Sequence, residues 1–205
     1  MKRRGLALGI VAILVLVSTT RANITNLTYA SDGAGAFVCS NYFWQGSSPS
    51  VNFHVYGDQF SAPGHMLTDV LTDSADDPAL IIGSSVDNDT GFAWTSYLVN
   101  VYMATTFTIT NVTVTSPLND WTVVSVSPVT FTGSNFVANI VYDTGTPIAI
   151  GDTLDFSYKL QFASSTHYAF TQEMIPVPEP GTVVMVTMSG LLFASLALAR
   201  RRHRA

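Results

Sequence analysis

Ten residues near the end of this chain leave little choice of structure. Over Thr153–Phe162, Leu154, Phe156, Tyr158, Leu160 and Phe162 alternate with Thr153, Asp155, Ser157, Lys159 and Gln161. A helix would scatter the apolar set around its circumference, whereas an extended strand places alternate residues on one face. The stretch is therefore a strand with one face in a core and the other in water. The same period recurs where Val51, Phe53 and Val55 alternate with Asn52, His54 and Tyr56, and again at Phe136, Ala138, Ile140 and Tyr142. Residues 25–30, 36–43, 80–83, 96–103, 105–115 and 122–131 read as further strands, rich in Thr, Val and aromatics. Within 105–115 the phase breaks: Phe107 and Ile109 are odd, Val112 and Val114 even. One inserted residue near Asn111 would cause that shift, which predicts a β-bulge or a bend between sheets.

Turn signals such as Ala62-Pro63-Gly64 and Gly151-Asp152 separate these runs. The best helical candidate is a short turn over residues 66–74. The expected fold is all-β: an antiparallel β-sandwich, jelly-roll or immunoglobulin-like, of about eight to nine strands.

The two ends have a different character. Lys2, Arg3 and Arg4 precede an apolar run over residues 5–17, and Thr20-Arg21-Ala22 supplies a small-x-small site. This is the pattern of a secretory signal peptide, 1–22, cleaved between Ala22 and Asn23. At the other end Pro178-Glu179-Pro180-Gly181 precedes an uncharged run over 182–199, and Arg200, Arg201, Arg202 and Arg204 follow. Eighteen residues of helix rise about 27 Å, close to the thickness of a bilayer core. The arginines would stay cytoplasmic as a stop-transfer signal. The two prolines deny the linker, 176–181, a regular helix, so its motif should be extended and accessible.

Between the ends lies one domain, 23–175, large enough for a core of its own. Residues 23–177 hold 12 Asp and one Glu against the single Lys159, a net charge of −12. The other eight basic residues sit in the two targeting ends, so the whole-chain value of −5 conceals a strongly acidic ectodomain. Such a surface disfavours nucleic acid. One cysteine, Cys39, allows no internal disulfide and reads as a small buried hydrophobe.

The tail, in all three of its parts, resembles the PEP-CTERM sorting signal of Gram-negative bacteria. The resemblance covers about 28 of the 205 residues. It implies that Pro178, Glu179 and Pro180 are the recognition motif of a membrane-embedded exosortase. It also implies a transient inner-membrane anchor over 182–199 and delivery to the cell surface or exterior, in bacteria that make biofilm polysaccharide. The partners implied are signal peptidase, exosortase, the membrane and extracellular polysaccharide. The tail fixes a route and leaves the activity open.

Candidates for chemistry inside the domain are few. Asp87-Asn88-Asp89-Thr90-Gly91 begins like a calcium loop, making Asp87 and Asp89 the metal candidates, but the later ligands of that pattern are missing. No nucleophile elbow, zinc motif or phosphate loop occurs, and His54, His65 and His167 are scattered. The expectation is a structural or adhesive protein without enzymatic activity and without a required cofactor. A secreted hydrolase would need a cleft where Asp or His groups converge. A carbohydrate-binding module would show two or three exposed aromatics in a row on one sheet face, and Trp44, Trp94, Trp121, Tyr42, Tyr97 and Tyr102 are the candidates.

Overall fold

A computed structural model describes residues 22–180, save 32, 48–49, 76–78 and 163–164. The expected signal peptide before Ala22, the membrane segment 182–199 and the stop-transfer arginines all lie outside the described residues. Among the described residues no helix is long and apolar enough to cross a membrane.

Twelve strands follow in order: β1 (Ile24–Ser31), β2 (Phe37–Ser47), β3 (Ser50–Gln59), β4 (Gly64–Thr72), β5 (Ala79–Asn88), β6 (Trp94–Met103), β7 (Phe107–Thr115), β8 (Thr122–Val126), β9 (Thr130–Phe131), β10 (Phe136–Ile148), β11 (Thr153–Phe162) and β12 (His167–Pro178). They form a seven-stranded sheet, β1-β4-β12-β6-β10-β8 with β9 also on β10, and a five-stranded sheet, β2-β3-β5-β11-β7. The sheets share one core. Phe53, Ile82, Phe156 and Leu160 come from the smaller sheet, and Val70, Tyr97, Val99, Ile140 and Phe170 from the larger. The ring of Phe156 bridges them, with centroids 5.7 Å from Tyr97 and 5.3 Å from Tyr142. Hydrogen bonds cross the same gap. Tyr97 donates to Gln59 Oε1 at 3.0 Å and Tyr158 to Gln172 Oε1 at 2.5 Å, so the buried glutamines have partners.

The all-β sandwich class is what the alternation led one to expect, and β11 has the predicted bounds. The shift near Asn111 is also present. Asn111 has φ 52°, and the β7–β11 register slips between Ser157 and Lys159. Three expectations need correction. There are twelve strands among the described residues, more than the eight or nine expected. The pairing is not wholly antiparallel, because β3 and β5 run parallel from Ser50↔Ala79 to Gln59↔Asn88. The intervening β4 belongs to the opposite sheet, so the chain crosses the sandwich and returns in the same direction. Finally, residues 66–74 begin not as a helical turn but in β4, whose inward set Met66, Thr68, Val70 and Thr72 includes two threonines. Leu67 and Leu71 face outward, 48% and 38% exposed. Apolar residues at 66, 67, 70 and 71 imitate helical spacing.

The last strand runs on to Pro178, so the expected linker, 176–181, begins inside the sheet. Glu173 lies inside it, paired with His65 on one side and Asn100 on the other. Pro176 is tolerated because it lies past Met174, the last residue paired with β4.

Candidate functional site

The outer face of the five-stranded sheet carries the most suggestive grouping. The register pairs Phe43 of β2 with His54 of β3, and His54 in turn with Gly83 of β5. One step along, Tyr56 pairs with Ser85, and Ser85 with Asp155 of β11. Three rings therefore stand together. Phe43 stacks on His54 at 5.7 Å and 16°, and His54 meets Tyr56 at 4.5 Å. Phe43 and Tyr56 are 42% and 40% exposed, so the rings form a shelf open to water. Gly83 gives His54 its place, because a Cβ at that position would stand 2.5 Å from His54 Nδ1.

Beside the shelf is a shallow cavity of about 250 Å³, bordered by His54, Gly83, Asp155, Ser157, Thr113 and Thr115. Ser85 donates to Asp155 Oδ1 at 2.5 Å, and its oxygen lies 3.1 Å from His54 Nε2. Thr113 and Ser157 share a hydrogen bond of 2.8 Å. Burial lowers the His54 pKa and outweighs the pull of Asp155, so the ring is neutral at neutral pH. Its Nε2 then carries the proton towards Ser85. This order, imidazole to hydroxyl to carboxylate, is not that of an acyl-transfer triad, in which the imidazole stands between the other two and accepts the hydroxyl proton. What the face offers is flat apolar rings next to a carboxylate and several hydroxyls.

The residues singled out in sequence fare differently. Trp94 and Tyr97 are fully buried and Trp121 is 4% exposed, with its Nε1 donating to Thr146 O at 2.7 Å. Trp44 packs against the core. Tyr42 is exposed but turns to Tyr29, 5.5 Å away, and Tyr102 donates to Glu173 Oε2 at 2.7 Å. None of them joins the shelf. Phe43, His54 and Tyr56 were hidden because the register of the β2–β3 hairpin, which brings them together, is not written in either strand alone.

The calcium candidates flank a buried asparagine. Asn88 between them is fully buried. Its Oδ1 accepts from Thr90 N at 3.0 Å and Thr90 Oγ1 at 2.6 Å, while its Nδ2 donates to Phe92 O and Ile148 O at 3.0 Å each. Thr90 Oγ1 also accepts from Trp94 Nε1 at 2.9 Å. Asp87 takes a 2.5 Å bond from Thr153, and Asp89 is exposed. Among the described residues no group of three or more His, Cys, Asp or Glu could hold a metal ion. The loop is held by its asparagine.

On the larger sheet, Glu173 gathers Asn100 and Tyr102, each at 2.7 Å, and His65 at 3.5 Å. Asn139 continues the row by donating to Asn100 Oδ1 at 2.6 Å. Partial burial would raise the Glu173 pKa, but these partners lower it on balance. Both carboxylate oxygens are engaged within the protein, which suits a cross-strand tie better than a ligand site. A wider groove of about 480 Å³ lies nearby, its lining mostly apolar around Leu67, Ala169 and Tyr102.

At the chain ends, Ala22 is buried and Asn23 exposed. The expected sorting motif starts in strand at Pro178, leaves it at Glu179, and does not hang clear of the domain. Thr95 Oγ1 lies 3.4 Å from the carbonyl oxygens of Val177 and Pro178, and Glu179 N donates to Ala93 O at 3.3 Å. Pro180 is exposed. No protein-family model matches the chain, and no curated protein or solved structure matches it either.

Proposed function

We propose that this is an exported, non-enzymatic surface protein that adheres to extracellular polysaccharide through the outer face of its five-stranded sheet. The observation that carries the reading is the shelf of Phe43, His54 and Tyr56 beside the Ser85–Asp155 pair. A pyranose ring has a face of C–H groups and a rim of hydroxyls. The C–H face packs on flat aromatic rings, and the rim finds donors and acceptors in Asp155, Ser157, Thr113 and Thr115. An open, shallow site suits an extended polymer better than a small molecule, which is normally enclosed.

Export and sorting enter through the ends of the chain. The signal peptide and the PEP-CTERM-like tail support passage across the inner membrane, a transient anchor there, and release to the surface by an exosortase. The acidic ectodomain supports solubility outside the cell and argues against nucleic acid as a partner.

The test combines mass and binding. Intact-mass analysis of the protein from its host, fractionated into inner membrane, surface and medium, should find a species beginning at Asn23 and ending near residues 178–181 outside the inner membrane. That species should be retained on the host's own polysaccharide. A chain keeping Arg200, Arg201, Arg202 and Arg204 and confined to the inner membrane would overturn the sorting reading. Loss of retention without loss of release would overturn the adhesive one.

A further inference from the structure

The residue expected to begin the mature chain is already held by a carboxylate. Asn23 N donates to Asp73 Oδ1 at 2.8 Å, and Asn23 Nδ2 donates to Asp73 Oδ2 at 2.8 Å. Asp73 N returns a bond to Asn23 O at 3.0 Å. Both oxygens of one carboxylate are thus taken by the main-chain and side-chain nitrogens of one residue. The residue before Asp73 is tied down as well, to the segment just ahead of β12 and to its own loop. Thr72 N donates to Thr166 O at 3.0 Å, and Thr72 Oγ1 to Ser74 O at 2.8 Å. The nearest other titratable side chains on β4 and β12, Asp69 and His167, are bonded to each other at 2.5 Å.

We infer that Asp73 is a receptor for the processed N-terminus of this same chain. Hydrolysis of the Ala22–Asn23 bond adds water across it. The leader leaves with the Ala22 carboxylate, and Asn23 keeps an amine that takes up a proton at neutral pH. The amide that faced Asp73 becomes an α-ammonium facing it, and a neutral-donor hydrogen bond becomes a charge-assisted ion pair. Ala22 is 2% exposed where it stands, so cleavage precedes closure of this corner. The pair ties down β1, an edge strand whose ladder has β4 on one side only. On the uncleaved chain Asp73 accepts two hydrogen bonds from neutral donors. On a cleaved one it recognises the new terminus by charge and by the Asn23 amide. The hydrogen bonds from Asn23 also lower the Asp73 pKa, so the carboxylate is ionised when the ammonium forms.

The inference rests on cleavage after Ala22 and is independent of polysaccharide binding. Its test exploits composition: a chain processed at Asn23 has only two amines, the new terminus and Lys159. Intact mass first establishes the terminus. Limiting acetic anhydride is then applied across pH 6–10, and the labelling of the two amines is compared in wild type and Asp73→Asn. The ion pair should move the α-amine midpoint above the usual value of about 8, with each unit making labelling about tenfold slower below it. The Asn variant should restore ordinary labelling while Lys159 stays unchanged as the internal reference. Equal α-amine midpoints in the two proteins would overturn the inference, as would a mature chain starting elsewhere. Should Asp73→Asn fail to fold, wild type is acetylated at the α-amine and melted. A fall in Tm relative to the unmodified protein is expected, and an unchanged Tm would overturn the inference.

Discussion

The ring of His54 lies directly over Gly83, so that a Cβ on Gly83 would come within 2.5 Å of Nδ1. A side chain at 83 and the imidazole in its present place are mutually exclusive. Gly83→Ala should therefore push His54 off the sheet and break its approach to Ser85. The obstruction is a side chain free to swing, so the stability cost should stay within about 1–2 kcal/mol. Polysaccharide retention should fall at least several-fold, measured by affinity electrophoresis. Undiminished retention in a folded variant would separate the shelf from binding.

Phe43 and Tyr56 contribute rings that remain about two-fifths exposed. Removing either as Ala takes little from the core, and the expected loss of stability is about 1 kcal/mol. Loss of a stacking surface should weaken saccharide binding about tenfold, equivalent to about 1.4 kcal/mol. The contrast with Trp94→Ala is informative. That ring is fully buried, and its loss should cost about 3–5 kcal/mol by urea denaturation without addressing the shelf.

Asn88 illustrates a polar residue that stabilises from inside. Its amide makes four hydrogen bonds, two through Oδ1 and two through Nδ2. Asn88→Ala takes away the side-chain bonds to Thr90 N, Phe92 O and Ile148 O, and the urea midpoint should drop by the equivalent of about 2–3 kcal/mol. Asp89→Asn, at an exposed neighbour, should move it hardly at all.

Glu173 should give the protein an acid-sensitive component. Its pKa is lowered in the fold, since the bonds from Asn100 and Tyr102 and the nearby His65 outweigh partial burial. A depressed carboxylate stabilises above its unfolded pKa of about 4.3, and that contribution fades as pH falls through the folded value. Glu173→Gln should thus be less stable than wild type at pH 7 by about 1–2 kcal/mol, and the gap should close in acid. A gap that persists at pH 3 would mean that shape rather than charge holds this row.

Much of the scaffold was legible because burial on one sheet face imposes a period of two. Thr153–Phe162 obeys that period without exception. Where inward positions go to threonine or glutamine, the signal fails. Thr68 and Thr72 disguised β4, while Gln172 and Pro176 disguised β12. The phase break at Asn111 was readable as a local event within one strand. The shelf was not readable, since it depends on which strand lies beside which. Phe43 meets His54 only through the hairpin register, and Ser85 meets Tyr56 only because β3 and β5 run parallel. The inward turn of the Asn88 amide in the loop at Asp87 was not legible either, since composition does not say which way a side chain points.

The last strand leaves the domain from between two neighbours, not from an edge. β12 is paired with β4 from His167 to Met174 and with β6 from Phe170 to Pro178. Any load arriving through the chain beyond Pro180 pulls along the axis of β12. Residues 175–178, paired with β6 alone, can open first, but from Met174 back to Phe170 the rungs are held on both sides and must slip together in shear. A domain held in this way would yield late and all at once under a pull on its C-terminal end.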